Sequence, residues 1–289
     1  MTKILGIELA PLNIPLSRRL QTLGALKYVL SFLVLGFGCL FISIYVLLFT
    51  RYYWVILLYL LWMYYDWNTP KRGGRRRERY RRWVIFDYMR DYFPISLIKT
   101  ADLDPKHNYL LGFHPHGIMS AGAFCNFGSE ATGFSEKYPG ITPYLITLVG
   151  QFWFPFHRDY IMQSGVCDCS KESLTYLLEE SGTGNAVVLV VGGAIESLEA
   201  HEGSTTVHLT KRKGFIKLAL KTGLVTSAVH IKQFGGMSFG KPIVVDKIKE
   251  PSKEDIDRLH ASYMKALTDL FDTHKVNYAN YKDKELEIL

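Results

Sequence analysis

The chain has 289 residues, 48% of them hydrophobic, with 34 Lys and Arg against 27 Asp and Glu, a formal charge of +7. Eight basic residues and one acid lie in the run 71–82 (KRGGRRRERYRR); outside it 26 basic residues face 26 acidic ones. Intrinsic disorder is excluded by the high apolar content. So is nucleic acid as a partner, since the charge is confined to one block and no recognition motif accompanies it.

In chain order, the first element is an apolar stretch, Tyr28 to Thr50, of 23 residues without a formal charge. A membrane-spanning helix needs roughly 20 such residues. After Arg51 comes a second, aromatic stretch of 14, Tyr52 to Tyr65, ended by Asp66. Basic residues flank both: Lys3, Arg18, Arg19 and Lys27 before, and the 71–82 block after. Because Lys and Arg favour the cytosolic side, the expected arrangement is a hairpin that enters and leaves on that side. A single span with an interfacial second segment is the alternative. The basic block then reads as a clamp on anionic membrane lipids. Two parts follow: residues 1–70 as N-terminal segment and hairpin, and 71–289 as a cytosol-facing domain. Cys39, Cys125, Cys167 and Cys169 have no disulfide or zinc spacing and are expected to be reduced thiols.

Within the second part, Asn108 to Phe113 reads as a short strand leading into His114-Pro115-His116-Gly117. The apolar run Ile141 to Val149 fits a helix or a strand. Ser170 is a suitable N-cap for a helix through Leu174, Leu177 and Leu178, ended near Gly182. Ala186 to Val191 is β-branched, apolar on both faces and bounded by glycines, which suits a buried parallel strand. A helix over Gly214 to Thr222 and a strand over Gly223 to His230 follow. Ser252 to Asp255 has capping-box form and opens an amphipathic helix carrying Ile256, Leu259, Tyr263, Leu267, Leu270 and Phe271. Alternating strands and helices predict an α/β domain with a mostly parallel sheet and flanking helices.

Three segments could carry chemistry. His114 and His116 follow a strand, where a neutral imidazole can take a proton from a hydroxyl, and Gly117 permits close substrate approach. No third ligand stands near them in sequence, so no metal is expected. Gly192 and Gly193, after the best strand, can offer backbone N–H groups to an oxyanion, with Glu196 available to orient a histidine or hold a hydroxyl. Arg212 and Lys213 open the following helix and suit phosphate groups. Each also has a bland reading: a core histidine, a glycine turn, a solvated basic turn.

Taken together these segments resemble the diacylglycerol acyltransferase type 2 family, which includes monoacylglycerol and wax-alcohol acyltransferases. The matching pieces are Tyr92-Phe93-Pro94, His114-Pro115-His116-Gly117, Arg158 with Gly165-Val166-Cys167, and Val191 to Glu196. Arg212-Lys213-Gly214-Phe215, Gly240-Lys241-Pro242-Ile243 and the tail from Tyr263 to Phe271 complete the set. The resemblance implies a glycerolipid-acyltransferase-like fold and an enzyme of the endoplasmic reticulum membrane and lipid-droplet surface. It would esterify a neutral acceptor, monoacylglycerol or diacylglycerol, from acyl-CoA, with no cofactor beyond that substrate. A more distant likeness, to acyltransferases with a His-x4-Asp motif, breaks down, because Ala121 and Met119 stand where the aspartate would. His116 is expected to be the base, oriented by Glu196 or by a group that the sequence does not identify.

One departure bears on activity. Family members carry an apolar-proline strand and several dozen further residues before the Gly-x-Pro-Ile segment, whereas here Thr226 follows Leu224-Val225 and Gly240 arrives soon after. A wax-alcohol acyltransferase, or a shortened inactive member that pairs with an active relative as a homo- or hetero-oligomer, are the alternatives.

Overall fold

The structure, a computed structural model, describes residues 3–4, 7–8, 13–115, 117–201, 204–231, 236–276 and 282–289. Its centre is a seven-stranded sheet: β1 (Ser96–Ile98), β2 (Tyr109–His114), β3 (Thr142–Thr147), β4 (Val166–Asp168), β5 (Asn185–Val190), β6 (Val225–Ile231) and β7 (Gly236–Phe239). The strand order is β1-β7-β6-β2-β5-β3-β4. The five from β6 to β4 are parallel, while β7 runs antiparallel to β6 and parallel to β1 at the edge. The α/β architecture expected from the alternation is thus present, with one reversed edge.

Both faces of the sheet are covered, which is why the central strands show no polar alternation. On one face Leu111, Phe113, Ala186 and Val188 pack with Phe127, Phe134 and Tyr138. On the other, Leu110 and Val187 meet two helices, α8 (Gly214–Thr222) and α9 (Lys253–Lys275). The capping box of α9 is formed in full: the Ser252 hydroxyl accepts from the Asp255 N–H, and the Asp255 carboxylate accepts from the Ser252 N–H. Ser170 caps α6 (Lys171–Thr175) as its sequence context requires, accepting from the Ser173 N–H. The ambiguous run 141–149 is strand β3, held between β5 and β4.

The N-terminal region forms α1 (Leu16–Leu33), α2 (Leu35–Phe49) and α3 (Tyr53–Tyr65). The stretch expected as one span, Tyr28 to Thr50, is divided by a 56° bend between α1 and α2. Among the described residues no single helix is long and apolar enough to cross a membrane; the bent pair α1 and α2 meets that requirement by combined length and composition alone. α1 is seated on α4 (Val84–Tyr92). A Cβ on Gly24 would stand 2.7 Å from the Met89 nitrogen and 2.9 Å from the Ile85 carbonyl oxygen, so the two backbones touch through the glycine. Tyr28 extends this contact, donating from its hydroxyl to the Met119 carbonyl at 2.6 Å, two residues beyond Gly117. α3 is tied down at its end, where the fully buried Arg158 of α5 (His157–Met162) donates to the Asp66 carboxylate at 2.9 Å and its carbonyl at 3.0 Å. Burial raises the Asp66 carboxyl, but bonds from Thr69, Arg75 and Arg158 outweigh it and hold the group below the usual carboxylate range.

The basic block is only partly the surface clamp expected. Arg81 is 0% exposed; it donates to the Phe127 and Ser164 carbonyls at 2.7 and 2.6 Å and pairs with Glu130 at 2.7 Å. Arg75 pairs with Asp66 and Asp159, Arg76 donates to the Pro143 carbonyl at 2.9 Å, and Lys71 meets Glu172 at 2.6 Å. The four that stand exposed, with no ion pair among the described residues, are Arg72, Arg77, Arg79 and Arg82. All four cysteines are free thiols.

Candidate active site

The topology puts the site at one end of the sheet. β2 and β5 are parallel neighbours, with Phe113 opposite Val190, so the loops at their carboxyl ends lie side by side. The chain leaves β2 towards β3 and leaves β5 in the opposite direction towards β6. Since β3 lies beyond β5 and β6 beyond β2, the two connections cross, and both loops start from the carboxyl ends of the strands, where open α/β sheets bind their ligands. Here the β2 loop carries His114-Pro115-His116-Gly117, and the β5 loop carries Val191-Gly192-Gly193 and then the short helix α7 (Gly193–Leu198). The loops touch, the Ser197 hydroxyl lying 3.4 Å from the Gly117 carbonyl oxygen to which it donates.

His114 is the last residue of β2 and is 0% exposed. Alternation along the strand puts it on the same face as Leu110, towards α9, and its Nε2 lies 3.1 Å from the Tyr263 hydroxyl. His116 lies outside the described residues. Glu196, on α7, is buried to 3%. It is enclosed by its own turn: a Cβ on Gly192 would overlap the Glu196 carboxylate and stand 2.7 Å from the Glu196 Cβ. Gly193 has a φ of +66°, a conformation that glycine adopts without a steric penalty.

The two basic candidates diverge. Arg212 is exposed and turns to the glycine pair, its Nη2 donating to the Gly192 carbonyl at 3.4 Å. Lys213 is engaged elsewhere, pairing with Asp257 of α9 at 2.6 Å. The structure therefore brings His114, Gly117, Gly192, Gly193, Glu196 and Arg212 to one end of the sheet and leaves Lys213 beside them. No group of three His, Cys, Asp or Glu side chains placed to hold a metal occurs among the described residues.

Two features were not read as part of the site from sequence. Tyr263 is spaced as a core residue of an amphipathic helix, and nothing in that spacing marks its hydroxyl as a partner for His114. The rim is also apolar: Ile118 follows β2, Leu148 and Trp153 follow β3, and Ile195 and Leu198 lie on α7, all exposed, Leu198 to 86%. Exposed apolar residues grouped on one edge usually mark a contact surface. Each is unremarkable in sequence until the strand ends bring them together.

A buried histidine, a buried carboxylate and a glycine pair at adjoining strand ends mark the carboxyl edge of the sheet as the candidate site of this α/β domain. Sequence comparison gives the family. The model of the family "Diacylglycerol acyltransferase" matches residues 45–239 and 236–289. Diacylglycerol O-acyltransferase 2 of Danio rerio is 42% identical over 316 residues, covering 90% of this chain and 86% of that protein. The Homo sapiens protein of the same name is 40% identical over 326 residues, covering 94% and 83%. Diacylglycerol O-acyltransferase 2-like protein 6 of Bos taurus is 40% identical over 325, covering 93% and 96%. The chain belongs to the diacylglycerol acyltransferase family. No solved structure matches it.

The comparisons also locate the departure noted in the sequence. Since 94% of 289 residues is about 272, the 326 aligned positions of the Homo sapiens relative include about 54 with no residue here. The family match itself is split and overlaps at 236–239, which is strand β7. The shortening falls at the antiparallel edge of the sheet, while β2, β5, α7, α8 and α9 stand intact.

Proposed function

We propose that the chain is an acyl-CoA-dependent O-acyltransferase that esterifies a neutral acylglycerol, diacylglycerol foremost, in triacylglycerol synthesis. The observation that carries this is the meeting of the β2 and β5 loops at the carboxyl end of the sheet within a chain of this family. In the reaction, His116 removes a proton from the acceptor hydroxyl as the oxygen attacks the thioester carbonyl. Backbone N–H groups at Gly192 and Gly193 stabilise the oxyanion, and coenzyme A leaves as a thiolate. Glu196 orients the histidine, and Gly117 leaves room for the acceptor. Arg212, exposed at the glycine pair, suits a phosphate of coenzyme A. Acyl-CoA is a substrate, and the step calls on no metal or resident cofactor.

The acceptor dissolves in membranes rather than in water, and the apolar rim of Ile118, Trp153, Ile195 and Leu198 offers it a path from a lipid surface to the site. The α1–α2–α3 region serves as the membrane hairpin, with the 71–289 domain on the cytosolic side of the endoplasmic reticulum membrane or a lipid droplet. Arg72, Arg77, Arg79 and Arg82 remain free to attract anionic head groups, each worth about 1 kcal/mol near a surface. Replacing His116 with Ala should abolish acyl transfer and leave membrane association unchanged. Activity retained in that variant would refute the assignment of the base.

A second reading rests on the shortened edge. A chain without about 54 positions of its relatives could have lost part of a substrate pocket and act as an inactive membrane partner of a longer relative. Turnover by the purified chain separates the two.

A further inference from the structure

The sheet face opposite the aromatic core carries a feature that the transfer reaction as written does not use. Tyr263 is 0% exposed on α9, packed edge-on against Phe215 with ring centroids 5.0 Å apart. Its hydroxyl is the one polar atom on a side chain otherwise spaced as core, and it reaches across to the sheet. Its place there depends on Gly112 of β2. A Cβ on Gly112 would collide with the Tyr263 hydroxyl and stand 3.0 Å from its Cζ and 3.1 Å from His114 Nε2. A glycine in the middle of a buried strand weakens it, and one such position often marks a close approach by another group. Here that group is the phenol.

We propose that Tyr263 is a positioning residue of the acyl-transfer site: its hydroxyl, lodged in the space left by Gly112, donates to His114 Nε2 and fixes that ring's orientation and tautomer at the root of the His114–Gly117 loop. The inference rests on the reading that this loop holds the catalytic base. Burial, and secondarily the Glu196 carboxylate, push the Tyr263 phenol above its ordinary value, so the hydroxyl keeps its proton and acts as the donor at physiological pH. The His114 proton then resides on Nδ1. Since His114 ends β2 and Pro115 follows directly with its φ fixed, holding the His114 ring holds the start of the loop.

The experiment uses the full chain in lipid nanodiscs. Tyr263→Phe, which keeps the ring and its packing, should lower kcat about 10-fold or more, leave KM for acyl-CoA unchanged, and move the pH profile of kcat. Gly112→Ala should lower activity at least as far, because the added methyl evicts the hydroxyl. In the double variant Gly112→Ala/Tyr263→Phe the collision with the hydroxyl is gone while the methyl still lies 3.0 Å from the ring Cζ and 3.1 Å from His114 Nε2, so the combined loss should be clearly smaller than the product of the two single losses. Wild-type kcat and pH profile in Tyr263→Phe, or independent multiplicative losses in the double variant, would overturn the proposal. A second readout does not depend on turnover. With 15N-histidine labelling, and His114→Gln to assign the signal, His114 should show the Nδ1–H tautomer in the wild type and lose that preference in Tyr263→Phe. An Nε2–H tautomer in the wild type overturns the positioning role while leaving the acyltransferase reading intact. Absence of turnover by a wild-type chain with the expected tautomer sinks the acyltransferase reading instead.

Discussion

Gly192→Ala isolates the part of the site that depends on Glu196. Gly192 has ordinary helical dihedrals (φ −61°, ψ −34°), so alanine meets no backbone penalty there. The effect is steric: the new methyl overlaps the Glu196 carboxylate and stands 2.7 Å from its Cβ, so rotation of the carboxylate alone cannot clear it. Forcing a methyl into a packed turn costs about 1–3 kcal/mol, which corresponds to a Tm loss of roughly 2–12 °C at about 2–4 °C per kcal/mol for a domain of this size. The catalytic loss should be larger than this modest loss of stability suggests, because displacing a positioning group by about 1 Å costs about 100-fold in rate. The assay is kcat/KM for transfer of labelled acyl-CoA to diacylglycerol, at a temperature where both proteins are fully folded. Gly150→Ala serves as the control, since a methyl there meets no atom within 4 Å. Wild-type kcat/KM in a folded Gly192→Ala protein would refute the placement of Glu196 in the machinery.

Three further outcomes follow from the packing. Glu130→Ala leaves Arg81 buried without its counter-ion, which should cost about 3–5 kcal/mol, read as a lowered Tm. Burial raises the Glu130 carboxyl, yet the bonds from Arg81 and Ser135 outweigh it and hold it below the usual range. Its stabilising contribution is therefore complete above the unfolded value of about 4.3 and is lost as pH falls through the lower folded value, a slope that denaturation titrations of Glu130→Gln should lack. Gly24→Ala should part α1 from α4 at a cost of about 1–3 kcal/mol, seen in Tm; an unchanged Tm would mean the helices are not in backbone contact. Arg158→Lys keeps the charge but not the fork that spans the Asp66 carboxylate and carbonyl, so it should lose about 1.5–3 kcal/mol, read as a lowered Tm.

The parts of the fold legible in the sequence were those set by local chemistry and simple periodicity. The Ser252 capping box, the Ser170 cap, the helix Gly214–Thr222 and the buried strand ending at Val190 stand where their residues put them. The run 141–149 was ambiguous because periodicity cannot separate a buried strand from a buried helix, and only pairing with β5 and β4 decides it. The basic block misled for a related reason. An arginine reads as solvated, yet Arg81 is enclosed by backbone carbonyls of residues more than 40 positions away, which no local pattern displays. The bend at Val34 involves no proline, and a Cβ on Gly36 beside it would stand 3.3 Å from the Phe154 ring of the other domain, a tertiary approach within an apparently uniform apolar run. In the site, the histidine, glycine and glutamate motifs were visible as segments, but their meeting depends on β2 and β5 being neighbours although 70 residues separate them. Tyr263 and the apolar rim were invisible because each residue alone is ordinary.

The central claim is that this shortened chain transfers an acyl group from acyl-CoA to a neutral lipid at the site between the β2 and β5 loops. The most direct measurement is product analysis with the purified chain in vesicles, labelled acyl-CoA, and monoacylglycerol, diacylglycerol, a long-chain alcohol and lysophosphatidate offered separately. The account predicts label in triacylglycerol from the diacylglycerol arm, and none from the same arm with His116→Ala. Label only in phosphatidate, or no label in any arm from a folded wild-type chain, would contradict it.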